Sequence, residues 1–521
     1  MTGNHSIYSR VLPSVCDLIV LGFFLTWILF HSLMQNFDIW FHLRTGELIR
    51  SGFFPHVDVF SFTAAGKPWI AHEWGSEVIF SWLYDTFGVV GLITLRALIV
   101  SVTVAIFFKL LVCNRINIPL SVLLTIVVAD VFRDRFLIRP QLFSFLLFMF
   151  VFYIYNEYRT NNRRRLLYLL PPLFILWINL HGGFLVGFIL LGLCIAGETL
   201  DNLLIHKTFF SSDQSKTNNL FFFSALSFVL CLLNPNTYRG LLYPFLYGSR
   251  SSMVLYSIAE WWPASWGHNE LFFMLVLFLI GVIALSGAPL KFHRLFPILF
   301  FALYTFQYNR IAPYFAVVSI AFTGDLFQDV LKEYYKKFTA LFGKRIRTLL
   351  EEFSQYLSHR FNVLLQIEKT HRNHLSLFFV LAIIVSVLLS GRLNKALIIG
   401  VSWNRFPTGN IKVLKACKPE GNIFNQYRWG GILIHTFPDR KVFIDGRMDV
   451  YRQQIATEYD TVLELRPGWR KILDRYNITH ILVDKNSTIA RFLADIDATW
   501  VLVSSDRNSD LFFKKSPGKK Q

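Results

Sequence analysis

Apolar runs long enough to cross a membrane recur along most of this chain. A helix needs about 20 mostly apolar residues to cross a hydrocarbon core that is roughly 30 Å thick. Of the 521 residues, 54% are hydrophobic and 17% are charged, whereas a soluble protein carries about 25% charged residues. The sequence therefore predicts an all-α, polytopic membrane domain.

We predict about eleven spans within residues 1–391, which form the transmembrane domain. The apolar runs that define them lie near 14–35, 88–112, 117–132, 140–157, 166–180, 183–204, 218–234, 270–287, 294–308, 311–330 and 375–391. Ionisable residues are sparse inside these runs and frequent between them, as expected for helices that face lipid.

Lys and Arg in the connecting segments indicate the orientation of the spans. Segment 156–165 contains four Arg, and segment 331–374 is rich in both Lys and Arg; both residue types favour the cytoplasmic side of a membrane. We therefore predict a cytoplasmic (inner) membrane protein with its N-terminus in the cytoplasm and with 36–87, 234–269 and 392–521 outside. Segment 331–374 is also amphipathic, and we expect it to lie on the anionic inner leaflet; a solvated linker is the alternative.

The formal net charge of +18 is spread over the connecting segments and does not form one basic domain. We therefore expect membrane lipids as partners and no nucleic acid. The five cysteines show no CxxC or other metal-ligand spacing, which argues against a disulfide framework and against a zinc site.

The composition changes after residue 391, and we predict that 392–521 form a small, soluble, extracytoplasmic α/β domain. Short β-patterns alternate with helical stretches, which favours some parallel strand pairing. The predicted strands are Lys441–Asp445, His480–Asp484 and Trp500–Ser504, and the predicted helices are Gly468–Tyr476 and Thr488–Asp495.

The first outer loop, 36–87, places charged and aromatic residues side by side directly after the first span. Phe37–Ser51 has its apolar residues on one side, which predicts a helix lying flat on the outer leaflet. A second amphipathic helix is predicted to begin at Glu73 and to lead into the next span. Two juxtamembrane helices at this point are an unusual arrangement.

This order of elements resembles the GT-C membrane glycosyltransferases, which include oligosaccharyltransferase catalytic subunits, protein O-mannosyltransferases and the aminoarabinose transferases of lipid A. The sequence is more similar to a group of poorly characterised bacterial GT-C-like proteins. The motifs that carry this resemblance are FDIWFHLRTGELI (37–49), PHVDVFSFTAAGKPWIAHEW (55–74), RPQLFS (139–144), WINLHGGF (177–184), NPNTYRGLLYP (234–244), NQYRWGG (425–431) and KVFIDGRMDVY (441–451).

The resemblance implies transfer of a sugar from a polyprenyl-phosphate-linked donor to an acceptor lipid, glycan or protein at the outer face. In GT-C enzymes the acid that begins the first outer loop is catalytic, and Asp38 matches that position. We expect Asp38 to act as the base, and His72 and Glu73 to support Asp38 or to bind a metal ion. The sequence has no DxD motif here, so a divalent metal is compatible with the chain but is not required by it.

A departing phosphate needs cations, and arginine matches phosphate better than lysine does. Arginine on a short outer loop also runs against the usual charge bias of membrane proteins. An ion pair with Asp134, or an interfacial anchor, is the alternative explanation for the cluster in DVFRDRFLIRP. The candidate phosphate-binding residues are Arg133, Arg135, Arg139 and Arg310.

Further candidates for substrate binding come from polar residues in the same motifs. Each has a structural alternative, such as a helix-end histidine, an interfacial aromatic belt or, for VFIDGRMD after its predicted strand, a simple turn. These candidates are Arg44, His181, Glu260, Trp261, Asp445 and Arg447, with Asp449 in the same motif as the last two.

Three other functions stay open. A polyprenyl-glycan ligase or polymerase of the O-antigen type usually places its long outer loop late in the chain. A transporter requires ionisable residues at mid-membrane, and only Arg96, Lys109 and Asp130 qualify here. A non-catalytic envelope-assembly protein is the third.

Overall fold

The structure is a computed structural model that describes residues 13–206, 212–248, 259–267, 269–370, 374–394, 396–451 and 453–515. Part of the predicted outer loop 234–269 lies outside the described residues. Within the described ranges, a helical part precedes a smaller C-terminal part that contains a sheet.

Fourteen helices form the helical part of the described chain. They are α1 (Val15–Phe30), α2 (Ile39–Arg50), α3 (Trp74–Cys113), α4 (Ile118–Phe132), α5 (Gln141–Asn161), α6 (Leu170–Leu180), α7 (Phe184–His206), α8 (Ser212–Leu230), α9 (Thr237–Gly248), α10 (Glu270–Ser286), α11 (Phe292–Gln307), α12 (Ala312–Thr339), α13 (Lys344–Thr370) and α14 (Leu375–Leu389).

Each predicted span coincides with one of these helices, because long apolar runs without proline or glycine clusters have few alternatives to a helix. Three helices, α3, α7 and α12, are long and apolar enough to cross a membrane. Helices α1, α10 and α14 are apolar but shorter. The mostly helical architecture is therefore confirmed, whereas the number of eleven crossings stays a prediction.

The two predicted juxtamembrane helices are confirmed as α2 and the first part of α3. Helix α3 is interrupted at Gly88, whose φ of 62° and ψ of −153° are not helical, and glycine reaches such a conformation without a steric penalty. The interruption separates the segment that packs on α2 from the apolar segment that follows. Gly46 of α2 lies directly on the Glu77 carbonyl, where a Cβ would collide, so α2 and α3 touch backbone to backbone.

The C-terminal part contains a four-stranded sheet in the order β3-β4-β6-β5. Strands β3 and β4 are parallel, and the other two pairs are antiparallel, which confirms an α/β domain with some parallel pairing. Its elements are β3 (Asn422–Asn425), β4 (Ile478–Asp484), β5 (Trp500–Ser505), β6 (Ser509–Lys514), α15 (Thr408–Cys417), α16 (Gly430–Thr436), α17 (Gln453–Leu463), α18 (Trp469–Arg475) and α19 (Thr488–Asp495).

One strand prediction was wrong. Lys441–Asp445 does not join the sheet; its backbone pairs with the first outer loop instead, where Val442 N donates to Phe60 O at 3.0 Å and Phe62 N donates to Val442 O at 3.1 Å. The apolar residues of this segment are buried by that contact and by packing on β3, where the ring centroids of Phe443 and Phe424 lie 4.9 Å apart. Strands β3 and β6 were not predicted.

A second pairing brings the start of the first outer loop to the C-terminal domain. Strand β1 (Leu33–Met34) runs parallel to β2 (Gly400–Val401), with Leu33 opposite Gly400. The chain that leaves α1 is therefore fixed at the domain boundary, four residues before Asp38.

Candidate active site

A cavity of about 670 Å³ lies where the first outer loop, several helix ends and the C-terminal domain meet. Its polar lining comes from several separate parts of the chain, and aromatic residues of α11 and α12 supply much of the apolar wall. The ionisable residues that line it are His72, Glu73, Glu77, His181, Tyr243, Tyr304, Tyr308, Arg310, Tyr314, Arg447 and Asp449.

A row of alternating charges lies beside this cavity. Arg139 bridges two carboxylates, with Nη2 2.8 Å from Asp38 Oδ2 and Nη1 2.7 Å from Glu260 Oε1. Arg135 Nη1 approaches the same Glu260 oxygen at 3.4 Å. The structure thus brings together Asp38, two of the predicted arginines and Glu260, from three segments that are far apart in the sequence.

The two carboxylates of this row differ in proton affinity. Burial raises the pKa of Asp38 above its ordinary value, although Arg139 opposes the change. Burial would also raise the pKa of Glu260, but Arg139, Arg135 and Arg310 together hold it below the ordinary value. Glu260 is therefore held as an anion that orients the arginines, and Asp38 is the better proton acceptor of the two.

Asp38 occupies the residue before α2, but its side chain makes no capping hydrogen bond. Asn36 Oδ1 accepts from the Asp38 backbone N–H at 3.1 Å and from Arg139 Nε at 3.2 Å. Helix capping therefore does not account for this carboxylate, which keeps 27% of its side chain exposed.

Gly446 of the C-terminal domain lies against Asp38 at the edge of the cavity. A Cβ at Gly446 would lie only 2.5 Å from Asp38 Oδ1, and Gly446 itself lines the cavity. A larger residue at this position would displace the carboxylate, so the glycine lets Asp38 lie next to the cavity.

Glu73 is the carboxylate that faces the cavity itself. Its Oε1 lies 3.4 Å from His181 Nε2 and 3.6 Å from His72 Nε2, and the His72 ring stacks on Tyr243 with centroids 3.7 Å apart. Burial raises the pKa of Glu73, with His72 opposing the change. His42, on α2, lies behind this group with Nδ1 3.0 Å from Glu77 Oε1.

Arg310 differs from the other arginines near the cavity. Its guanidinium carbon lies 4.3 Å from the centroid of the Trp261 ring, a cation–π arrangement that leaves the N–H donors available. Among the described residues no carboxylate forms an ion pair with Arg310, whereas Arg135 and Arg139 both have one.

Two predicted residues lie away from the site. Arg133 pairs with Asp130 at 3.2 Å and approaches Asp134 at 3.9 Å, with 58% of its side chain exposed. Arg44 pairs with Glu47 at 2.7 Å. Neither arginine lines the cavity.

Asp445 and Arg447 form a buried contact between the C-terminal domain and the first outer loop. Arg447 Nη2 lies 2.6 Å from Asp445 Oδ2, and Nη1 lies 2.8 Å from Asp58 Oδ1. The Arg447 guanidinium also lies 4.6 Å from the Trp69 ring centroid, and Tyr451 donates to Asp445 at 2.7 Å. A single arginine thus lies between two buried carboxylates, and Arg447 lines the cavity from within this network.

Several residues of the site were not predicted from the sequence, namely Tyr243, Asp58, Ser144 and Trp177. Each lies inside a motif that carries the family resemblance, and that was the available signal. Asp449, which the sequence only placed beside Arg447, lines the cavity, and burial raises its pKa to about 6. Within the described residues, no group of three or more His, Cys, Asp or Glu side chains is arranged to hold a metal ion.

Comparisons with known proteins identify the fold. No protein-family profile and no curated protein sequence matches the chain. The Archaeoglobus fulgidus oligosaccharyltransferase tethered to an acceptor peptide superposes with a TM-score of 0.54 at 13% identity, over 92% of this chain and 69% of that one. The Archaeoglobus fulgidus oligosaccharyltransferase AglB in complex with an inhibitory peptide and a dolichol-phosphate gives a TM-score of 0.53 at 12% identity, over 90% and 69%.

ArnT from Cupriavidus metallidurans also aligns, at 13% identity over 95% of this chain and 97% of that one, but with a TM-score of 0.48. The fold assignment therefore depends on the oligosaccharyltransferase structures, whose similarity covers 90–92% of this chain. The expectation drawn from the order of elements is confirmed: the chain has the fold of the GT-C membrane glycosyltransferases.

Proposed function

We propose that this protein is a membrane glycosyltransferase that moves a sugar from a polyprenyl-phosphate-linked donor to an acceptor hydroxyl outside the cytoplasmic membrane. The observation that carries the proposal is a cavity in a GT-C fold that has carboxylates and arginines gathered around it. The structural neighbours support the substrate class, since AglB has been solved with dolichol-phosphate and with an acceptor peptide.

The reaction forms a bond between the acceptor oxygen and the anomeric carbon and breaks the bond from that carbon to the phosphate oxygen. The acceptor proton needs a base, and the electron pair of the broken bond leaves with the phosphate. Asp38 is the proposed base, because burial keeps its proton affinity above that of Glu260 while Arg139 fixes its position.

Arg310 is the proposed principal ligand of the donor phosphate. It lines the cavity and has no described carboxylate partner, so binding a phosphate would not require it to give up an ion pair. Arg135 and Arg139 are already shared with Glu260 and Asp38. They would add positive potential at the departing phosphate, with a smaller share of the direct contact.

The experiment that tests this function uses the purified full-length protein with a panel of polyprenyl-phosphate sugars. Donor consumption should appear with at least one sugar and should be lost in Asp38→Asn. If the wild type consumed none of the donors, and vesicles that contain it took up a polyprenyl-linked glycan or another solute, these results would contradict glycosyl transfer and favour a transporter.

A further inference from the structure

A chain of hydrogen bonds runs from the interior of the helical part to His181, which lies beside Glu73. Trp177 Nε1 donates to Ser144 Oγ at 2.7 Å, and Ser144 Oγ lies 2.6 Å from His181 Nδ1. Trp177 and Ser144 are both fully buried. His181 ends the chain, and its other ring nitrogen faces Glu73 Oε1 at 3.4 Å.

The backbone fixes which nitrogen of His181 carries the proton. Gly183 N–H donates to His181 Nδ1 at 2.9 Å, and a backbone N–H cannot rotate to become an acceptor. Nδ1 must therefore present a lone pair, and the single proton of the neutral ring resides on Nε2. Burial also holds the pKa of His181 well below its ordinary value, which keeps the ring neutral.

The serine hydroxyl completes the same assignment. Because Ser144 Oγ accepts from Trp177, its own proton is free to be donated to His181 Nδ1. Two hydrogen bonds in sequence thus lead toward the cavity, from Trp177 to Ser144 and from Ser144 to His181, and the protonated Nε2 of His181 then lies 3.4 Å from Glu73 Oε1.

We propose that Trp177, Ser144 and His181 are positioning residues that place a neutral N–H donor beside Oε1 of Glu73 and leave the carboxylate able to accept a hydrogen bond from a substrate hydroxyl. This inference rests on the proposed function for its substrate. A neutral donor orients a carboxylate without cancelling its charge, so the hydroxyl still meets an anion. A cationic donor at the same place would compete with the hydroxyl for that charge.

The charged and titratable groups around Glu73 are consistent with this role. Besides His181, His72 approaches Oε1 from the loop at 3.6 Å and His42 of α2 approaches Oε2 at 3.9 Å, and the remaining groups act from further away. The groups that face or influence Glu73 are His42, His72, Glu77, His181, Arg310, Asp38 and Asp449.

Glu73 itself is accessible from the cavity, with 18% of its side chain exposed. His72 is not a second donor of the same kind, because its Nδ1 lies 3.2 Å from the Ile70 carbonyl. A carbonyl accepts only, so the proton of neutral His72 is on Nδ1, and Nε2 offers Glu73 no N–H. His181 is therefore the neutral donor to this carboxylate.

The first test compares two substitutions of His181. Leucine removes the donor at nearly constant volume, whereas glutamine can place an amide N–H near the position of Nε2. Hydrogen bonds to charged groups are worth about 1.5–3 kcal/mol, so His181→Leu should lower kcat by roughly 10- to 100-fold. His181→Gln should recover a large part of that loss, and the Kd for the donor should change little in either variant.

The pH–rate profile separates positioning from simple packing. Loss of a donor to a carboxylate favours its protonated form, so the acidic limb should move to higher pH in His181→Leu and in Ser144→Ala. Gly192→Ala is the matched control in α7, because a Cβ there meets no atom within 4 Å. An unmoved limb, or a glutamine variant no better than leucine, would overturn the proposal.

A measurement without turnover distinguishes failure of this inference from failure of the proposed function. In protein labelled with ¹⁵N-histidine, the resonance pair that disappears in His181→Gln identifies His181. It should show a non-protonated Nδ1 and a protonated Nε2 at neutral pH, and Ser144→Ala should change the Nδ1 shift. A protonated Nδ1 would refute the hydrogen-bond chain even if no sugar donor is ever found.

Discussion

Replacing Asp38 by asparagine removes the proposed base while leaving the shape of the side chain almost unchanged. The amide cannot take the acceptor proton at neutral pH, and loss of a general base typically lowers the rate by about 10²- to 10⁴-fold. Binding of the donor should persist, because Arg310 and Arg135 do not contact Asp38.

The structure also predicts that the protein tolerates this change. The Asp38 side chain makes no cap bond to α2, and Arg139 keeps Glu260 at 2.7 Å and Asn36 at 3.2 Å when the Asp38 contact is lost. The ion pair is partly exposed on both sides, at 29% and 27%, so we expect a stability loss of about 1 kcal/mol or less.

The assay measures turnover of a polyprenyl-phosphate sugar and the thermal midpoint in detergent for the same preparations. Asp85→Asn is the matched control, since Asp85 also pairs with an arginine of the first outer loop, Arg50, at 2.5 Å and is remote from the cavity lining. It should keep full activity. Because burial raises the pKa of Asp38, the activity of the wild type should rise with pH as this proton is lost.

Wild-type turnover in Asp38→Asn would refute the assignment of Asp38 as the base. If Glu73→Gln were inactive in the same series, Glu73 would be the base that takes the acceptor proton. A large loss of thermal stability in Asp38→Asn, in contrast, would contradict the structural account of how Arg139 is held.

Three further predictions concern the donor phosphate, the topology and the cavity carboxyl. Arg310→Ala should weaken donor use by at least about 10-fold, with partial recovery in Arg310→Lys, which keeps the charge but loses the planar guanidinium. Arg133→Ala should have no effect. Equal effects of Arg310→Ala and Arg133→Ala would remove Arg310 from the phosphate site. Cys417 is exposed and the other four cysteines are buried, so in intact cells an impermeant thiol reagent should label the wild type but not Cys417→Ser. Arg165→Cys in the Cys417→Ser background should react only after permeabilisation. The reverse pattern would invert the topology. Burial raises the pKa of Asp449 from 3.8 to about 6, so its charged form lowers the stability of the folded protein at higher pH. Asp449→Asn should therefore raise the thermal midpoint when it is measured well above pH 6, but not when it is measured below pH 3.8. A difference in midpoint that does not change with pH would contradict this prediction.

The helical part could be predicted largely from the sequence, because its determinants are local. Apolar runs of sufficient length become helices, and the amphipathic pattern after the first span located α2 within two residues of its observed ends. The break before the next span depends on Gly88, whose sequence position alone does not show that its φ is positive. The local sequence pattern thus predicts the helices, but it does not predict the break between them.

The site could be predicted only in part, because tertiary contacts decide which of several similar residues belong to it. Arg133, Arg135 and Arg139 look alike in the sequence, yet the short helical turn at Arg133–Arg135 directs the first toward Asp130 and the other two toward Glu260. No spacing rule anticipates that outcome.

The error at Lys441–Asp445 has the same origin. Its run of β-branched and aromatic residues, Val442–Ile444, is that of a strand, and its backbone does pair, but the partner is a loop more than 370 residues earlier in the chain. A segment of this kind satisfies the sequence pattern of a sheet while building an interface between two parts of the molecule.

That interface links docking of the C-terminal domain to completion of the cavity. Arg447 lies between Asp58 of the first outer loop and Asp445 of its own turn, with side chains 0–2% exposed. Buried charges are expensive to desolvate and strongly destabilising when one partner is missing, so a partly docked domain would leave an unpaired charge in the interior. Gly446 belongs to the same turn and lies against Asp38 at the edge of the cavity. Because the ion pairs and Gly446 share one turn, the domain cannot separate from the loop without opening the cavity beside the proposed base.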